Sequence, residues 1–521
     1  MRKPFTVKRR TFLAGSASGL AISSLGMPRI AMAQPVPGGT LRVSVDQGPD
    51  VLNPLLHRVN PEYLMGELLY SGLTRLSRDM TAEPDLAESW SASDDLTTWT
   101  FTLRPGVVFH DGSPLTAEDV VATFTAILDE ATGSPARRNV GPIETVTATD
   151  DLTVVFQLSG PYADLPIAVA YTDAKIVPAA VLADDIGRLN QEVIGTGPFR
   201  LVSYEPERLV VVERNPEYFL EGRPYLDRVE IVIYPDSTAE SSAIIAGDTD
   251  LMVRTAPTDY ERISGSGGVV GMRIPSGQFL NVIMRCDQPP FDDARVRRAL
   301  SLAVDREALI AFVAEGYGTE GQDTPISPAY RYYTDVGDRQ MNIDEARGLL
   351  AEAGHPDGLD LTLVASDRPG TRTQLGVAMR EMAAPAGFNI EVQTMPHSTY
   401  LDQVWLQGQF YVGFYNMQPT PDGIFSLLYT SESPWNETRW NNAEFDRLVT
   451  EGRETADDAR RAEIYAEAQQ LMHDEVPTVI PVFFDQLAAR RDYVENYEIH
   501  PRGAIFRLDE VWLGEGAPDR G

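Results

Sequence analysis

In the first part of the chain, four stretches alternate apolar and polar positions: residues 40–46, 99–103, 153–158 and 209–213. A period of two puts one set of side chains on one face of a strand, so this part is predicted to be β-rich. A helix is predicted over 117–128. Thr116 with Asp119 three positions on supplies the cap, and Val120, Val121, Phe124 and Leu128 form an apolar stripe. Beyond about residue 275 the rhythm changes to alternating helix and strand. Helices are predicted at 344–353, 371–383 and 398–406, and strands at 359–365, 388–394 and 409–415. Such alternation predicts an α/β fold with a parallel or mixed sheet covered by helices. A long helix follows at 457–473 with Ile464, Ala468, Leu471 and Met472 on one face, and strands at 478–484 and 508–513 close the chain. Gly265-Ser266-Gly267-Gly268, near the change of rhythm, is the one loose stretch.

The N-terminus has a pattern of its own. Arg9-Arg10 precedes a mostly apolar, small-residue run over 12–25, and Ala31-Met32-Ala33 supplies the small side chains a signal peptidase accepts. This is the layout of a cleaved export signal of the twin-arginine type, expected over 1–33 with cleavage near Ala33. A membrane anchor is the alternative, but Gly15, Gly19, Gly26 and Pro28 interrupt the run before the roughly 20 apolar residues of a span. The expected location is the periplasm.

Composition narrows the function. The formal net charge is −32, and residues 1–33 hold six of the basic side chains and none of the acidic ones, so the remainder is more acidic still. An acidic surface repels phosphate backbones and anionic lipid, which argues against nucleic-acid binding. Cys286 is the sole cysteine, so an intrachain disulfide is excluded and no lipid-anchoring cysteine follows the leader. With 43% hydrophobic residues over 521 positions, the chain can bury two sizeable cores.

Catalytic signatures are missing. There is no phosphate loop ending in Gly-Lys-Ser/Thr and no Gly-x-Ser-x-Gly elbow. None of the six histidines lies four residues from another, so no helical zinc pair exists. Carboxylate pairs such as Asp94-Asp95 and Asp292-Asp293 read as solvated caps or turns. No enzyme activity, cofactor or metal is expected.

Three blocks then carry a resemblance: Leu86-Ala87-Glu88-Ser89-Trp90; Leu103-Arg104-Pro105-Gly106-Val107-Val108-Phe109-His110-Asp111-Gly112; and Leu115-Thr116-Ala117-Glu118-Asp119-Val120. Gly195-Thr196-Gly197-Pro198-Phe199, Arg214-Asn215-Pro216-Glu217-Tyr218, Pro290-Phe291-Asp292-Asp293 and Val296-Arg297-Arg298-Ala299-Leu300 continue it in order. The set resembles the extracellular family 5 solute-binding proteins, the peptide/nickel-type receptors of ABC importers. Most of these residues read as structural. His110-Asp111-Gly112 is expected to form a turn, Gly195-Thr196-Gly197-Pro198 to let two backbone segments approach, and Asp292 to cap a helix over 293–303.

The resemblance implies a two-lobed periplasmic binding protein fold of type II, with an extra β-rich subdomain in lobe I and a ligand cleft between the lobes. Lobe I is expected over 34–275 plus 485–521 and lobe II over 276–484. The implied partners are a small-molecule or peptide ligand and the permease and ATPase complex of the inner membrane, with the receptor itself a monomer. In dipeptide-type members an acid shortly after a lobe II strand holds the ligand's ammonium and an arginine holds its carboxylate. Alignment on Pro421-Asp422 puts Met417 at the acid's position. A thioether cannot replace a carboxylate, so either another acid substitutes, Asp422 being the nearest, or the ligand is not a standard peptide. Arg368 and Arg372 lie near the family's carboxylate-binding arginine, with Arg368 preferred. Tyr415, Asn416 and Gln418 flank Met417; Tyr171 is the aromatic expected from lobe I; Trp435 and Asn436 are expected at the rim. A peptide-like solute is the leading reading. A metal chelate, an oligosaccharide or an opine-like compound is the alternative, and a secreted enzyme or a chemosensory receptor is the third.

Overall fold

A computed structural model describes residues 35–520. The export signal expected over 1–33 lies outside the described residues. Among those described, no helix is long and apolar enough to cross a membrane.

Two long antiparallel strands, Val269–Met284 and Thr478–Arg491, organise the molecule. They run in register from Val269 opposite Arg491 to Ile283 opposite Thr478, with two irregularities on the way. To one side the sheet continues through Leu251–Met252 and Thr40–Val45 to Arg228–Ile233, Leu209–Arg214 and Phe199–Glu205. To the other side it continues through Phe410–Tyr415 and Leu359–Ser366 to Phe388–Met395. Leu359–Ser366 pairs in parallel with Phe388–Met395, and Thr40–Val45 in parallel with Arg228–Ile233. The sheet is therefore mixed, as the alternating rhythm requires.

A second, four-stranded antiparallel sheet runs Ala87–Ala92, Thr98–Leu103, Thr153–Leu158, Ile143–Asp150. Its two middle strands bury every second residue, which matches their sequence alternation. The helix Ala117–Leu128 packs on it, with Phe124 edge-on to Phe156 at 5.0 Å and Phe156 edge-on to Phe101 at 5.3 Å. Asp119 accepts the Thr116 amide at 2.8 Å, closing the expected cap. The buried stripe is Val120, Phe124 and Ile127; Leu128 is half-buried, one position past the face.

The glycines of the motif blocks have steric reasons. A Cβ on Gly195 would lie 2.0 Å from the Leu69 carbonyl oxygen, and one on Gly197 2.4 Å from the Leu69 carbonyl carbon, so only glycine lets these segments touch. His110 sits in the same contact, its backbone amide donating to Gly195 O at 2.8 Å.

Three elements differ from the sequence expectation. Asp293, not Asp292, caps the helix Ala294–Leu302 by accepting the Arg295 amide at 2.8 Å. The strand expected over 478–484 runs on to Arg491, because its pairing with the first long strand continues beyond the apolar run. The strand expected over 508–513 is a short 3-10 turn, Leu508–Glu510, followed by Trp512–Leu513 paired with Val494–Glu495.

Apolar side chains gather in three main cores. The first draws on residues from Leu41 to Leu251 and from Ala488 to Leu513, and the second on residues from Leu280 to Phe484. The third joins Leu76, Met80 and Ile505 to Ile424, Phe425, Tyr465 and Met472, so it binds together segments distant in the chain.

Candidate functional site

Beside the two long strands lies a cleft of about 690 Å³. One wall comes from the segment after the strand Thr40–Val45, the start of the helix Asn60–Leu69, Tyr171, and the loop 500–506. The other comes from Gln278, Phe414, Asn416, Met417 and Gln418, where the strand Phe410–Tyr415 ends and the helix Pro421–Leu428 has not yet begun. The strand fixes this exit by pairing from Met284 opposite Phe410 to Phe279 opposite Tyr415.

Met417 is almost completely buried, and its surroundings are fitted to it. Its sulfur accepts the Gly277 amide at 3.3 Å, and a Cβ on Gly277 would stand 2.7 Å from the Met417 Cγ and 2.5 Å from the Tyr330 ring. Asn416 accepts the Gln278 side-chain amide at 2.6 Å, and the Gln418 backbone amide donates to the Tyr330 hydroxyl at 3.1 Å. Arg502 crosses from the opposite wall: its Nε donates to the Met417 carbonyl at 3.4 Å, and its guanidinium lies 4.5 Å from the centre of the Tyr171 ring.

Behind Phe414 is a second polar layer. Arg372, in the first turn of the helix Thr371–Ala383, is 7% exposed, with its guanidinium 5.1 Å from the Tyr400 ring and 5.8 Å from the Phe414 ring. Among the described residues its Nε and Nη1 have no hydrogen-bond partner, which is costly for a buried cation, and burial lowers its pKa. Glu437 lies near it. The Tyr415 hydroxyl donates to one carboxylate oxygen at 2.8 Å and the Tyr411 hydroxyl to the other at 3.0 Å. Burial pushes Glu437 up to about 7, against the pull of those hydroxyls and of Arg372.

The residues expected from sequence therefore divide. Tyr171, Asn416, Met417 and Gln418 line the cleft. Arg372 and Tyr415 form the layer behind it; Tyr415 turns to Glu437 and accepts the Trp405 indole N–H at 3.3 Å. The other four expectations need correction. Arg368 is exposed in the loop before the helix and does not line the cleft. Asp422 is buried at a helix start, accepting Arg453 Nε at 3.0 Å and Ser426 Oγ at 2.8 Å, so its charge is already matched. Asn436 spends its amide on Thr430 O, Trp440 O and Thr438 Oγ1. Trp435 packs edge-on against Trp405 at 5.2 Å, with Arg138 over its ring at 5.7 Å, and lies outside the cleft wall.

Sequence reasoning missed Arg502, Tyr63, Glu240 and Asp46, all of which line the cleft. Each comes from a different, distant segment. The single local signal is the Pro501-Arg502-Gly503 break between apolar stretches.

This architecture, two cores flanking paired crossover strands with a cleft beside them, is that of a two-lobed periplasmic binding protein. The comparisons agree. The model of the bacterial extracellular solute-binding proteins, family 5 (Middle), matches residues 81–438, and the chain belongs to that family. It is 27% identical to the dipeptide-binding protein of Escherichia coli K12, over 93% of this chain and 97% of that one. Among solved structures it resembles the ABC transporter substrate-binding protein CtaP of Listeria monocytogenes, with a TM-score of 0.80 and 26% identity over 92% of this chain and all of that one. It also resembles AgaA of A. tumefaciens R10, solved with agropinic acid, with a TM-score of 0.76 and 25% identity over 93% of this chain and all of that one. The chain is thus a solute-binding component that delivers its ligand to an importer, and the relatives are binding proteins rather than enzymes.

Proposed function

We propose that this chain is the periplasmic receptor of an ABC importer for a small, peptide-like solute that carries a carboxylate. The carrying observation is the make-up of the cleft. At about 690 Å³ it has the size of a small-ligand site, and its walls come from both sides of the long strands with amide, aromatic and guanidinium groups. We assign the walls to lobe I (34–275 plus 485–521) and lobe II (276–484); the first two cores fall on either side of that division, and the third crosses it. Closure of the lobes excludes water, strengthens polar contacts to the solute and forms the surface that a permease recognises.

Arg372 is the carboxylate partner in this reading. A buried guanidinium with two unpartnered nitrogens, beside aromatic rings one layer behind the wall, gains most when an anion reaches it. Arg9-Arg10 and the small residues near Ala33 support export by the twin-arginine route with cleavage after the leader.

Met417 supports a second reading, an opine-like or other non-peptide solute, since it removes the ammonium partner that dipeptide-type receptors use. Two measurements on protein purified from the periplasm test the proposal. Native mass spectrometry is expected to find a retained peptide-like mass, and small-angle scattering a smaller radius with ligand than without. A retained sugar or metal chelate, or an unchanged radius at saturation, defeats it.

A further inference from the structure

After the second long strand, the chain returns to the cleft through the loop 500–506 and brings Arg502 against Met417. The arginine is held from three directions. Tyr171 lies under its guanidinium at 4.5 Å, Nε donates to the Met417 carbonyl at 3.4 Å, and its backbone amide donates to His500 Nδ1 at 3.2 Å. Among the described residues its Nη1 is buried without a hydrogen-bond partner and no carboxylate forms an ion pair with the arginine. Arg502 is the charge that acts most strongly on Asp173, which is fully buried with neither carboxylate oxygen hydrogen-bonded among the described residues. Burial pushes Asp173 up to about 8, against the pull of Arg502, so near neutral pH it is largely protonated. The cleft therefore holds a positioned guanidinium with a buried, unpartnered nitrogen and no ion pair among the described residues, while the acids of the same cleft, Asp46, Glu240 and Asp259, come from other segments of its wall.

Its place gives that cation a meaning. Met417 stands where the resemblance puts the acid that receives a ligand's ammonium. Here the group that approaches this residue is itself a cation, and a free amino terminus docking there would meet a like charge. An anion would instead meet a positioned donor in a partly desolvated pocket, where charge-assisted hydrogen bonds are strongest.

We propose that Arg502 is a ligand-binding and specificity-determining residue that receives an anionic group at the amino-end side of the solute, so that the cleft selects N-acylated or otherwise anionic-ended peptide-like solutes over peptides with a free ammonium. The proposal rests on the receptor reading above and adds the charge of the end that Met417 leaves unread.

Calorimetry with two probes tests it: Ala-Ala with a free amino end, and N-succinyl-Ala-Ala, which carries a carboxylate there. Wild-type protein is expected to bind the succinylated probe about tenfold more tightly or better. Arg502→Gln is expected to erase that preference and Arg502→Lys to keep part of it, with the ligand-free melting temperatures showing that both variants fold. The preference in the wild type needs no variant. Equal binding of both probes, a preference for Ala-Ala, or a tenfold preference surviving in Arg502→Gln overturns the role of Arg502 and leaves the receptor reading in place. Binding of neither probe overturns both.

Discussion

The Met417 sulfur accepts a hydrogen bond from the Gly277 amide at 3.3 Å, in a space where a Cβ on residue 277 would collide with Met417 itself. The backbone thus already aims a donor at this side chain, and a carboxylate in the same place would accept it. Met417→Asp is expected to pair with Arg502 and create an acid at the cleft wall. Affinity for free-amino dipeptides should rise by about 1.5–3 kcal/mol, the range of a charged hydrogen bond, while affinity for N-succinyl-Ala-Ala falls. Calorimetry on the variant checks both signs; no gain with any dipeptide favours the non-peptide reading.

The two arginines at the head of the helix Thr371–Ala383 should behave differently. Arg372→Ala removes a buried, unpartnered guanidinium and is expected to weaken binding of a carboxylate-bearing probe by about 1.5–3 kcal/mol. Arg368→Ala alters an exposed side chain outside the cleft and should change binding little. Parallel titrations with N-succinyl-Ala-Ala compare them. Equal losses in both variants contradict the assignment.

Asp173 makes stability depend on pH in a known direction. Its carboxyl is raised by burial from 3.8 to about 8, so between those values the unfolded chain has lost a proton that the folded chain keeps. Its contribution therefore favours the folded state least at high pH and falls by about 1.4 kcal/mol per pH unit as pH rises through that window. Urea unfolding of wild type and Asp173→Asn from pH 5.5 to 7.5 isolates it. The stability difference between them should drift by that slope, with the variant gaining relative to wild type as pH rises. A constant difference disproves the shift.

Arg461 Nη2 donates to Asp164 Oδ2 at 2.6 Å across 297 positions of sequence, with both side chains buried and the rings of Tyr332 and Tyr465 flanking the guanidinium. The pair ties the segment before Leu165–Ala168 to the long helix Asp458–Glu475. Asp164→Ala leaves the arginine buried without its counter-ion and is expected to cost about 3–5 kcal/mol. Asp164→Leu with Arg461→Met should recover much of that. Denaturant unfolding measures both, and a single variant as stable as wild type shows that the pair is not a tie.

Export can be tested separately from binding. Replacing Arg9 and Arg10 with lysine is expected to keep the protein in the cytoplasm in soluble form, as read by fractionation and immunoblotting. Unimpaired export of that variant excludes the twin-arginine route.

Local pattern determined a good deal here. Alternation located the strands Thr98–Leu103 and Thr153–Leu158, and the apolar stripe with its Thr116–Asp119 cap located the helix Ala117–Leu128, because each is set by which face of one element meets a core. The motif order was enough to name the family and to single out Met417, since both are read along the chain. The extension of Thr478–Arg491 and the small pairing of Trp512–Leu513 were not legible, because partner strands distant in sequence impose them. The site depended on tertiary structure for the same reason. Sequence could rank Arg368 and Arg372 only by position, whereas the fold exposes one and buries the other among aromatic rings. Asp422 looked free until the fold brought Arg453 to it. Arg502 carried only the Pro501-Arg502-Gly503 break: its meaning comes from meeting Met417 and Tyr171 across 85 and 331 positions, and such meetings are decided by how the cores pack, not by the period of any one segment.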